Sequence, residues 1–160
     1  MPRERAWVRY IEAKYGVTLT PHRRALDIED LTATQSEIEQ IKYDLVRHEA
    51  FRAGEPILAY KGRFGGYYLV DGHTRARVHW DMGERSIEAL LYTSADAEVC
   101  AELGRIAVEA GGGRARRVAE VPVVDRVGKG TAAWDRRRQE LLEEWMGEAR
   151  QGEKEAEERG

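Results

Sequence analysis

The chain has one cysteine, Cys100, no asparagine, few glutamines and no long apolar run. A single cysteine excludes an internal disulfide and a cysteine-based structural zinc site. No stretch approaches the roughly 18 apolar residues a membrane helix needs. The N-terminal MPRERAW offers no signal-peptide core. These absences predict a soluble, cytoplasmic protein with no membrane partner. A net charge of −3 with 34% charged residues sets up no global field drawing the whole chain onto nucleic acid. Arginine outnumbers lysine about four to one. Scarce amides and abundant charge suit a thermophile, and a GC-rich genome would also favour arginine. A chain of 160 residues is long enough for one domain with a real core and appended helices.

Within residues 3–15, Trp7, Tyr10, Ile11 and Tyr15 fall near helical spacing, and Gly16 with Pro21 ends that helix. Residues 25–31 (ALDIEDL) predict a short strand. Residues 36–48 predict an amphipathic helix with Ile38, Ile41, Leu45 and Val46 inward and Glu37, Glu39, Lys42 and Arg47 outward. Pro56 opens a strand over 57–60, and the glycine-rich 61–66 turns it back into a strand over 67–70. A helix over 72–83 and a strand over 85–92 follow. Further on come a helix over 95–110, the break Gly111-Gly112-Gly113, a final strand over 118–124, and a long charged helix over 131–157. The last ten residues, QGEKEAEERG, predict a frayed tail. The expected organisation is an N-terminal helical extension (1–20), a core (21–94), and a helix, glycine linker, short strand and long helix (95–160).

The most informative segment is 67–83, YYLVDGHTRARVHWDMG. Its apolar run stops at Asp71-Gly72, and a helix-compatible stretch carrying Thr74, Arg75 and Arg77 begins at once. A strand that breaks at glycine into a helix leaves backbone N–H groups unpaired at the helix start, a ready site for phosphate. Arg75 can add a bidentate charged contact, and Asp71 can hold a metal ion or take a proton. The same string also reads as a tight turn with Asp71 as N-cap and solvated arginines.

Other strings carry less. Gly62-x-x-Gly65-Gly66 lacks the Gly-Lys-Ser/Thr of a Walker loop. His22, His48, His73 and His79 show no metal-ligand spacing; His79 reads as a surface or packing residue, while His73 stands at the helix start beside Asp71. Arg114-Ala-Arg116-Arg117 and Arg136-Arg137-Arg138 could grip a phosphate backbone. The second run precedes Glu140, Glu143, Glu144 and Glu148 at pairing distances, which favours an ion-paired helix face.

Leu31-Thr-Ala-Thr-Gln35, a helix, Gly54-Glu-Pro56-Ile57 opening a strand, and the strand into Asp71-Gly72-His73-Thr74-Arg75 form an order that resembles the ParB/sulfiredoxin-fold superfamily, over residues 25–92. The resemblance implies an α/β (α+β) fold with a mixed sheet and flanking helices. The D-G-H-x-R form is similar to free-serine kinases and small archaeal ParB-like proteins. It implies a nucleotide-dependent phosphotransferase acting on a small hydroxylated metabolite, with Mg2+ and ATP or ADP, or CTP as the alternative. In that reading Asp71 is the metal- or proton-handling carboxylate, Gly72, His73 and Thr74 cradle phosphate, and Arg75 neutralises the transferred group. Phosphoryl transfer asks mainly for positioning and charge neutralisation.

The kinases' upstream acidic residue falls at Gln35, which cannot act as a base; Glu37 would replace it after a shift of register. Gln35 is closer to the P-x-Q pattern of ParB proteins, where it would join the nucleotide site. The expected catalytic set is therefore Asp71, His73 and Glu37, with Gly72, His73, Thr74, Arg75 and Gln35 binding nucleotide. Phe64-Gly65-Gly66 shares letters with the sulfiredoxin box, but the matching loop reads Val70-Asp71-Gly72-His73, without its reactive cysteine. The alternatives are a nucleotide-switched ParB-type DNA-binding or partition protein and a non-catalytic regulatory module. The 68 residues after Tyr92 hold no clear pair of short helices to read DNA. A homodimer through the Trp134/Trp145 face is a further expectation.

Overall fold

A computed structural model describes residues 2–63, 65–94 and 96–159. Phe64 of the glycine turn and Ala95 at the start of the expected 95–110 helix lie outside them. Strand β4 (Ile57–Lys61) opens with four consecutive buried residues, Ile57 to Tyr60. A run without polar alternation suits a strand covered on both faces, and β4 is the middle strand of a five-stranded sheet of order β1-β6-β4-β5-β2. On one side β6 (Ser86–Tyr92) runs parallel to it, with β1 (Pro21–Asp27) antiparallel at the edge. On the other, β5 (Tyr67–Asp71) runs antiparallel, and the two-residue β2 (Leu31–Thr32) lies parallel beyond it.

Alternation along these strands separates two cores. Ile57, Ala59, Leu69, Ala89 and Leu91 pack with Ala76 of helix α3 (His73–Asp81). Leu58, Tyr60 and Tyr92 face the opposite way, onto Ile11 of α1 (Pro2–Tyr15) and Val99 and Leu103 of α4 (Ala97–Ala110). A third cluster joins α2 (Gln40–Glu49) to α5 (Ala132–Arg159) through Ile41, Leu45, Phe51, Trp134 and Leu141. The fold is the α+β arrangement expected, a mixed sheet with flanking helices, one N-terminal and one long and C-terminal. Among the described residues no helix is long and apolar enough to cross a membrane.

Several boundaries differ from the sequence reading. The helix predicted from residue 36 starts at Gln40, because β3 (Ile38–Glu39) pairs in parallel with β7 (Val123–Val124). That distant pairing overrides a helical spacing which Ile38 fits equally well. The strand predicted over 118–124 shrinks to β7, since Val118–Glu120 forms a 3-10 turn that buries Val118. The strand predicted over 25–31 lies earlier, at 21–27, and Ile28–Asp30 is another 3-10 turn. Helix α5 continues to Arg159 where a frayed tail was expected.

The tryptophans of α5 pack on their own chain: Trp134 is buried, and the half-buried Trp145 ring meets Phe51 edge-on at 5.0 Å. The basic runs are likewise engaged. Arg116 donates to the Ser36 and Ala110 carbonyls at 2.8 and 2.9 Å, Arg137 to Glu39 at 2.8 Å, and Arg138 pairs with Glu49.

Candidate functional site

The site begins with an irregularity in the sheet. Leu58 pairs with Asp71 but Ala59 pairs with Leu69, so Val70 is an extra residue on β5. Such a bulge bends its strand and re-aims the next side chain, here Asp71. Gly72 follows at φ +100°, a conformation that L side chains rarely adopt. A Cβ there would stand 2.6 Å from Ile57 Cγ2 and 2.8 Å from Arg75 Nη2. Position 72 therefore admits only glycine on two independent grounds. Gly72 is the N-cap of α3 and Asp71 closes β5, so the turn reading with Asp71 as N-cap does not hold. Gly72, lacking a side chain, supplies no side-chain cap of its own to α3.

The turn opens into a cleft of about 310 Å³. Its lining includes Gln35, Asp71, Gly72, His73, Thr74 and Arg75, all six anticipated from sequence. Glu37 does not line it. Arg126 holds that carboxylate with two contacts of 2.5 and 2.8 Å and keeps its pKa below the ordinary range. The shortened α2 explains the separation: residues 38–39 are strand, and Glu37 precedes them on the side facing Arg126.

His73 is almost fully buried, and its Nε2 accepts the backbone N–H of Thr34 at 2.9 Å. The Thr34 hydroxyl in turn donates to the Leu69 carbonyl at 2.6 Å. A neutral imidazole has one accepting nitrogen, so the proton resides on Nδ1. Burial pushes the His73 pKa down to about 4, against a smaller upward pull from Asp71. His73 is thus a neutral clamp that fixes the Thr34-Gln35 segment to the start of α3.

Arg75 lies along the floor. Its Nη1 donates to the Glu55 carbonyl at 3.0 Å and meets the Glu55 carboxylate at 3.2 Å, while Nη2 is 3.8 Å from Asp71. Arg52 approaches the same Glu55 carboxylate at 3.0 Å. Arg52, Glu55, Arg75 and Asp71 therefore form a chain of alternating charge. Charge-assisted contacts of this kind fix side-chain geometry as well as charge.

Sequence reasoning missed Lys42, Phe51, Arg52 and Leu141 in the lining. Lys42 sits on the predicted polar face of α2, and only the placement of α3 makes that face part of a cleft. Arg52 follows a turn in which Ala50 and Arg52 both adopt positive φ, 54° and 56°. Neither of these two positions carries a glycine or an asparagine. Leu141 arrives from α5, so nothing local could have pointed to it.

Among the described residues no group of three or more His, Cys, Asp or Glu is gathered for a metal ion. Asp71 is the one carboxylate of the lining. Mg2+ is commonly held by one or two carboxylates together with substrate phosphates. Asp71 is the lining residue that could hold Mg2+ in that way. Cys100 is remote, on α4, its thiol 3.7 Å from the Lys61 carbonyl and its pKa raised by burial.

No family model matches this chain, and no curated protein matches it. Among solved structures it is similar to protein Atu1540 from Agrobacterium tumefaciens, at 17% identity and a TM-score of 0.43, over 66% of this chain and 63% of that one. It is also similar to the pNOB8-like ParB N-domain, at 22% identity and a TM-score of 0.38, over 53% of this chain and 33% of that one. A second crystal form of that domain gives 20% identity and a TM-score of 0.37, with 60% and 39% covered. The chain spans less than two thirds of each of these proteins. So partial a likeness says nothing of what the cleft binds.

Proposed function

We propose that the cleft binds a nucleotide through its phosphates and that the chain is a nucleotide-dependent phosphotransferase acting on a small hydroxylated metabolite. The observation that carries this reading is Gly72. Its absent side chain and positive φ bring the start of α3 to the cleft, where backbone N–H groups can receive phosphate oxygens. Lys42 and Arg52 add positive charge to the same wall. Asp71, aimed by the bulge and neighboured by Arg75, takes the acceptor's hydroxyl proton as the new oxygen–phosphorus bond forms and the terminal phosphoryl group's bond to the bridging oxygen breaks, the nucleotide leaving one phosphate shorter. Mg2+ bound with the nucleotide neutralises phosphate charge. His73, neutral, holds Gln35 in place and takes no proton.

One observation favours a second reading. Gln35, which cannot act as a base, occupies the cleft, while Glu37 is held outside it by Arg126. Binding without turnover, as in a nucleotide-switched ParB-type module, would need no second carboxylate. Thermal-shift measurements with ATP, ADP and CTP plus Mg2+, each with and without L-serine, separate the two, because a ligand of the folded state raises the midpoint by mass action. A shift with ATP or ADP that grows with serine supports the phosphotransferase. A shift with CTP alone supports the switch, and retention on duplex DNA at moderate salt would then be the next measurement. No shift with any nucleotide sinks both.

A further inference from the structure

Arg52 is held by a carboxylate of its own turn and by one from the C-terminal helix. Its side chain is nine-tenths buried, lines the cleft, and stands at φ 56° just after Ala50 at φ 54°. Two non-glycine residues in the left-handed region within one turn are costly, and such strain persists where the surrounding structure fixes a side chain for use. The guanidinium divides its contacts. Nη1 meets Glu55 at 3.0 Å, and Nη2 meets the Glu148 carboxylate of α5 at 2.6 Å. Glu55 is built into the floor, where it also binds Arg75. Glu148 instead reaches Arg52 from a helix packed over α2 through Leu141, Trp145 and their neighbours.

We infer that Arg52 is a phosphate-binding residue of the cleft and that the Glu148 carboxylate occupies its outer N–H groups until a ligand phosphate exchanges with it. The inference rests on the nucleotide reading above and adds to it a residue and a competitor. The fork of a guanidinium suits carboxylate and phosphate oxygens alike. A phosphate carries more negative charge than a carboxylate, so the exchange favours the ligand when it is present. Because Leu141 of the same helix forms part of the cleft wall, release of Glu148 loosens the part of α5 beyond it. Glu55 remains on Arg52 throughout, so the guanidinium is never left buried without a partner.

Isothermal titration of the full chain and of Glu148→Gln with inorganic triphosphate and with Mg-ATP tests this. Glu148→Gln keeps the shape of the side chain and removes the competing charge. The expected result is binding tighter by about tenfold, the scale of one charge-assisted contact no longer displaced. Arg52→Gln should weaken binding of both probes by a similar factor. Hydrogen exchange in residues 146–152 should rise when Mg-ATP is added to the unsubstituted chain. A Glu148→Gln protein that melts lower but binds unchanged or more weakly makes the pair a structural clamp and overturns the exchange, leaving the nucleotide reading intact. Absence of binding in every form overturns both.

Discussion

The Nε2 of His73 accepts the backbone N–H of Thr34, and this one bond ties the segment before α2 to the first turn of α3. It requires an unprotonated ring. With the folded pKa pushed down to about 4 and an ordinary value of 6.5, the unfolded chain binds the proton first as pH falls. The stability this gives is fully present above about pH 6.5 and is lost progressively as pH falls towards 4. It amounts to about 3 kcal/mol by linkage. Urea unfolding at a series of pH values should show this loss, and His73→Gln should flatten that part of the profile. An unchanged profile in the variant would remove His73 as the cause.

Gly72→Ala should be among the most damaging single changes in the chain. It combines a positive φ with a Cβ only 2.6 Å from Ile57 Cγ2, and Ile57 is fully buried at the start of the central strand. Strain and overpacking together predict a loss of about 3 kcal/mol or more. Chemical denaturation measures it directly. A loss below about 1 kcal/mol would mean that the turn can relax.

Asp71→Asn and Glu37→Gln should behave differently. Asp71 is the cleft's own carboxylate, so Asp71→Asn should abolish nucleotide turnover while sparing most nucleotide affinity. Glu37 is engaged by Arg126 outside the cleft, so Glu37→Gln should leave turnover and affinity within about twofold, a small fraction of one charge-assisted contact. Single-turnover assays with Mg-ATP and the two variants decide the matter. A dead Glu37→Gln enzyme with intact binding would restore Glu37 to the catalytic set.

Leu141→Ala removes a buried side chain that α5 contributes both to the third core cluster and to the cleft wall. Truncations of this kind cost about 2–5 kcal/mol, according to how far the site collapses. Urea denaturation gives the number, and nucleotide titration of the same variant shows whether the wall matters for binding.

The sheet and the Gly72 turn were legible because their signals are local. An unbroken apolar run marks β4, and Asp71-Gly72 marks a strand that must stop and a helix that can start. The rest of the cleft was not legible, for equally physical reasons. Ile38 suits a helix face or a strand, and only Val123, far along the chain, chooses between them. Glu37 looked available for catalysis because nothing near it in sequence reveals Arg126. Arg52 adopts a positive φ that its residue type does not announce.

Helix α5 gives the cleft a history as well as a shape. Glu39 and Arg137, which join α2 to α5, are 98 residues apart in the chain. Closing so long a loop is slow compared with forming a local hairpin or helix. The Asp71–Arg75 segment is therefore made well before Leu141 and Glu148. The outer wall of the pocket and the second partner of Arg52 both come from the part of the chain made last.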